Sequence, residues 1–198
     1  MPKPWNDAID RQEILKAEYD YIAQTAFQAN EDRARVSSFY LLAVGSLGAA
    51  LFSTQLFDQN FDPVFIAGAF SGLFFVLTAL GTLTTLQLSR LRSAWYESML
   101  AMNQIKDYWL NQSKDKGFKH AFRWDTGSLP RKYKLNSVSY YQTVEVAFLS
   151  GITFGAAVYF FQKAVRYDCQ ICNWAYTIVA GFLVFLIQLF IYKLNLGE

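Results

Sequence analysis

The chain has 198 residues and a formal net charge of +2. It is 53% hydrophobic and 18% aromatic, and it carries one His, two Cys and no GxSxG, P-loop, HExxH or GxGxxG signature. These features exclude the common enzyme classes, so neither an enzyme, a cofactor, a metal nor a nucleic-acid polymer partner is expected. Length alone fits one ordinary domain, but the apolar residues lie in long blocks. Those blocks, not the mean hydropathy of +0.13, decide the class.

Residues 1–35 form the first unit. Leu15, Tyr19, Ile22, Ala26 and Ala29 keep a 4-3-4-3 spacing, and neither Gly nor Pro follows Pro4 in this stretch. An amphipathic helix over residues 5–35 is predicted, with Asn6 or Asp7 available as its cap.

Residues 36–89 read as a transmembrane hairpin. Val36–Phe57 and Pro63–Ser89 contain no Asp, Glu, Lys or Arg, and the latter, at 27 residues, exceeds the roughly 20 that span a hydrocarbon core. Ser71, Thr78, Thr82 and Thr85 recur at three, four or seven residues and share a face of the second span. Such a stripe either bonds to carbonyls and neighbouring helices or lines a water-filled path when copies assemble. Gly68 and Gly72 have the spacing that lets two helix backbones approach.

Neither Gly nor Pro separates the second span from the charged pattern that follows. One helix is therefore predicted from Pro63 to about Asn111. Leu88, Leu91, Trp95, Met102, Ile105 and Trp109 mark a heptad seam, with Ser98 as its polar position. Because the first hairpin turns within about five residues, this seam faces that of residues 5–35, giving an antiparallel helical stalk. The rest of the 90–141 unit is a basic and aromatic loop. Its Lys119, His120, Arg123, Trp124, Arg131 and Lys132 suit lipid head groups or an anionic ligand such as a nucleotide.

Residues 142–193 form a second hairpin, with uncharged runs at Val146–Gln162 and Cys169–Tyr192, followed by a tail, 194–198. Gly151 and Gly155 repeat the small-residue spacing. Glu145 stands at the start of the third span, either as a functional intramembrane acid or as a carboxylate favoured by the helix dipole. Cys169 and Cys172 lie at the far mouth of the fourth span, where a disulfide is the expected use.

The expected fold is thus an all-α integral membrane protein with four transmembrane helices and a cytoplasmic antiparallel stalk. Residues 89–140 carry 10 Lys and Arg against 4 acids, while the 58–62 turn carries only Asp58 and Asp62. By the positive-inside rule, the long segment and both termini face the cytoplasm.

The run Ser89–Trp109, SRLRSAWYESMLAMNQIKDYW, places Arg92, Glu97, Lys106 and Trp109 in an R…E…K…W order. Together with the preceding hairpin it resembles the SLATT group of bacterial membrane effector modules, and the second hairpin resembles the four-span relatives of that group. The resemblance implies pore formation or membrane disruption on activation, in bacterial defence at the inner membrane. The expected function is accordingly a homo-oligomeric membrane effector or channel, gated through its stalk by a cytoplasmic protein or nucleotide signal. The competing expectation is a non-conducting anchor or scaffold that recruits a cytoplasmic partner.

Overall fold

The structure, a computed structural model, describes residues 7–53, 62–112, 122, 124–165 and 170–197. These residues form four helices: α1 Asp7–Ser53, α2 Pro63–Gln112, α3 Val138–Ala164 and α4 Gln170–Asn195. Among the described residues, three helices are long and apolar enough to cross a membrane: α2, α3 and the Trp174–Asn195 part of α4. On that ground the protein is read as integral to a membrane. The other expected span, Val36–Phe57, continues α1 without a break and is described only as far as Ser53.

Local chemistry sets the helix ends. Pro63 occupies the first position of α2, where its missing N–H costs nothing. The Asp62 carboxylate accepts from the Val64 N–H at 3.0 Å. Ser137 caps α3 by accepting from the Tyr140 N–H at 3.2 Å. This cap starts α3 at Val138, four residues before the hairpin read over 142–193. After α4 the chain turns at Gly197, whose φ of 75° is a conformation that a side chain disfavours.

The two long helices run antiparallel. Leu15 and Tyr19 of α1 face Ile105 and Trp109 of α2. Farther along, Asp32 and Val36 face Leu83, Leu86 and Gln87. Tyr40 lies against Gly81, where an added Cβ would stand 2.6 Å from the tyrosine oxygen. Along α1 the buried positions Ala26, Ala29, Arg33, Ser37 and Tyr40 are three or four residues apart, one stripe turned toward α2. At 1.5 Å per residue α1 and α2 are about 70 and 75 Å long, against about 40 Å for α3 and α4. The short helices therefore accompany mainly the apolar half of α2, and the charged half is flanked by α1 and by the chain over residues 124–132.

Between α2 and α3 the described chain returns along α2. Asn103 Nδ2 donates to the Asp125 carbonyl at 3.4 Å, Thr126 bonds Asp107, and Arg92 Nε donates to the Lys132 carbonyl at 3.0 Å. This path brings α3 back beside the apolar half, where α2, α3 and α4 pack together.

Candidate functional site

The polar core lies where the inner faces of α2, α3 and α4 meet. Gln188 of α4, 1% exposed, is its hub. Gln188 Nε2 donates to Thr82 Oγ1 at 3.0 Å and to Ser150 Oγ at 2.6 Å, while its Oε1 accepts from Thr85 Oγ1 at 3.3 Å. Ser150 Oγ donates in turn to the Thr78 carbonyl at 3.3 Å, and the Thr78 and Thr153 hydroxyls are 3.1 Å apart. One turn outward, Ser71 Oγ donates to the Ala157 carbonyl at 3.0 Å. Thr78, Thr82 and Thr85 also bond back to the carbonyls of Phe74, Thr78 and Gly81.

The stripe Ser71, Thr78, Thr82 and Thr85 is therefore turned into the protomer, and each hydroxyl has a protein partner. Helices in an apolar medium gain little from burying further apolar surface, so such bonds fix which faces meet. The network holds hydroxyls and one amide, with no carboxylate, imidazole or thiol. It can orient helices, but it offers no acid, base or nucleophile suited to neutral pH.

The four glycines divide into two pairs. A Cβ on Gly151 would stand 2.7 Å from the Gly181 carbonyl, and one on Gly155 would be 3.2 Å from the Thr177 carbonyl. These two glycines let α3 and α4 touch backbone to backbone. A Cβ on Gly68 or Gly72 would meet nothing within 4 Å among the described residues.

Of the basic and aromatic residues that are described, Trp124 and Arg131 are exposed and Lys132 is half-buried. Lys132 Nζ lies 3.5 Å from Glu97 Oε1 and 5.4 Å from the Tyr96 ring centroid, so its charge is engaged by α2. Arg131 and Lys132 both lend their carbonyls to Arg92. Trp124 is 39% exposed. Lys119, His120, Arg123 and Cys169 lie outside the described residues, as does the side chain of Cys172. Glu145 is exposed, but α3 begins at Val138, which puts this carboxylate about two turns into the helix and beyond reach of the dipole account expected for a first-turn position.

Sequence reasoning missed three participants in the core: Ser150, Thr153 and Gln188. Gln188 was the most accessible of them, since an amide deep in an otherwise apolar run needs a partner in the bundle. It also passed over the burial of Arg33 and Arg92, which are 8% and 6% exposed. Burial pushes both guanidinium pKa values below the ordinary one. Repulsion from Arg92 lowers that of Arg33 further, and the Tyr192 oxygen acts in the opposite direction on both.

Comparison of the chain with protein-family models, curated proteins and solved structures finds no match.

Proposed function

We propose that the protein is a membrane-anchored helical scaffold without enzymatic activity, whose α1–α2 rod engages a cytoplasmic partner. The observation that carries this reading is the polar core. The hydroxyls that would have wetted a conducting path are bonded to α3 and α4 of their own chain. In this reading Val36–Phe57 is a fourth span, both termini are cytoplasmic, and the charged half of α2 with the N-terminal half of α1 forms the stalk. The excess of Lys and Arg over acids in residues 89–140 supports that orientation. Because α1 and α2 continue unbroken from stalk into spans, a partner bound to the rod would be mechanically coupled to the bilayer.

A second reading, the oligomeric effector or channel suggested by the SLATT-like pattern, is favoured by a different observation. Beside Gly68 and Gly72, the outer face of α2 exposes Phe65, Leu73, Phe75, Val76, Leu80 and Leu83. A second copy could pack there, so a path would lie between protomers and not within one.

Reconstitution of the full chain into liposomes separates the two readings. The scaffold predicts no release of entrapped ions or dye at any protein-to-lipid ratio. Release by the wild type that disappears in the combined Gly68→Ile and Gly72→Ile variant, whose changed positions lie on the face open to a second copy, would overturn it in favour of the effector.

A further inference from the structure

Arg33 of α1 and Arg92 of α2 are both more than nine-tenths buried. Arg33 Nη2 bonds the Asn30 side-chain oxygen, but its Nε and Nη1 are enclosed without any hydrogen-bond partner. Arg92 donates to the Lys132 and Arg131 carbonyls at 3.0 and 3.4 Å and stacks over the Trp95 ring at 4.4 Å. These carbonyls take two of its five N–H donors and leave its charge unneutralised. The ion pairs among the described residues, Arg35–Asp32 and Lys132–Glu97, involve neither arginine.

Two buried cations that repel each other, one with unused donors, are electrostatically costly unless an anion joins them. Among the described residues no carboxylate pairs with either arginine. The position is informative: Arg33 precedes the uncharged run Val36–Phe57 by three residues, and Arg92 follows Pro63–Ser89 by three. If those runs lie in hydrocarbon, both guanidinium groups stand at the depth of the phospholipid phosphates.

We propose that Arg33 and Arg92 form a binding site for a phosphate-bearing anion at the junction of α1 and α2. A tetrahedral oxyanion can accept from the free Nε and Nη1 of Arg33 and carries the charge that the pair lacks, which a neutral ligand does not. The free donors are enclosed, so the anion reaches them only as Arg33 or α1 shifts. Occupancy and the α1–α2 packing are therefore coupled. The same chemistry has two sources, an anionic lipid head group or free phosphate. The proposal rests on the membrane reading of the uncharged runs, but it does not depend on whether the protein conducts.

The test uses the delipidated full chain in a neutral detergent and follows its thermal unfolding. Three additions are compared: phosphatidylglycerol, phosphatidylcholine with the same acyl chains, and millimolar inorganic phosphate. Phosphatidylglycerol should raise the midpoint by about 5 °C more than phosphatidylcholine does, and Arg33→Gln should abolish that difference. An equal rise with inorganic phosphate would identify a soluble anion as the ligand. No rise would leave the lipid as the source. Arg35→Gln, at an exposed arginine of the same helix, should keep the full shift and so separates a site from general surface charge. Arg92→Gln also loses the tether to residues 131 and 132 and could unfold for that reason, so Arg33→Gln carries the decision. An Arg33→Gln variant with the wild-type shift, or a wild type that responds to neither anion, would overturn the proposal.

Discussion

The two halves of α2 are held by opposite means. From Ser71 to Ser89 its inner face is mostly hydroxyl and meets α3 and α4 through hydrogen bonds. From Leu88 to Trp109 the face toward α1 is mostly apolar, with Leu88 and Met102 buried opposite a stripe that includes Ala26 and Ala29. One continuous helix thus changes its packing chemistry where its charged residues begin. The difference follows from the solvent each half is suited to. In water, removal of apolar area drives association. In hydrocarbon that drive vanishes, and close backbone approach and polar partners must specify the contact.

Substitutions at four places would break or sharpen this contrast. The largest effect is expected at the backbone contact between α3 and α4. Gly181→Leu should prevent a monodisperse folded protein, and Gly181→Ala should cost about 1–3 kcal/mol, because its Cβ meets the Gly151 carbonyl at 2.6 Å. Unchanged elution and unfolding midpoint for both variants would remove this contact from the native state. Next comes the charged half. Met102→Asp buries a carboxylate in the apolar seam at a cost of roughly 2–3 kcal/mol. Limited proteolysis should then cut residues 90–112 faster while the 138–195 region stays protected. Equal cutting of both regions would mean that the halves unfold as one.

A smaller loss is expected at the hub of the polar core. Gln188→Leu leaves Thr82 and Ser150 without their amide donor and should cost about 0.6–2 kcal/mol. A double-mutant cycle with Ser150→Ala measures the coupling, and a value indistinguishable from zero would show that the network is incidental. The smallest effect is expected from Gly68→Ile combined with Gly72→Ile. With open space at both positions, protomer stability should stay within about 0.5 kcal/mol. A changed oligomer size in that variant would reveal copy-to-copy contact on this face and strengthen the effector reading.

Much of α1 and α2 was legible in the sequence, because periodicity is local. The heptad positions Leu15 to Ala29 and Leu88 to Trp109 can be read from one stretch of chain, and the long helix expected to about Asn111 ends at Gln112. The polar core was legible only in part. Spacing places Thr78, Thr82 and Thr85 on one face, but their partners stand between 70 and 110 residues away, and spacing does not say which helix meets that face. The glycines make the same point. Gly68/Gly72 and Gly151/Gly155 have the same separation, yet only the second pair has another glycine, Gly181, across from it. The burial of Arg33 and Arg92 was not legible because a lone cation on an amphipathic helix ordinarily extends to solvent, and only the third dimension closes over these two.

The unbroken course of α2 makes the chain tolerant of exchange and intolerant of insertion. Neither Gly nor Pro interrupts it after Gly81, so no hinge exists to absorb a change of length. One residue inserted at the border near Arg90 would turn everything beyond it by about 100°. Leu91, Trp95 and Met102 would swing away from α1 while Thr78 and Thr85 kept their places. Azimuth set among α3 and α4 is thereby inherited, without slack, at the far tip near Trp109, as the angle of one cam fixes the next along a shaft.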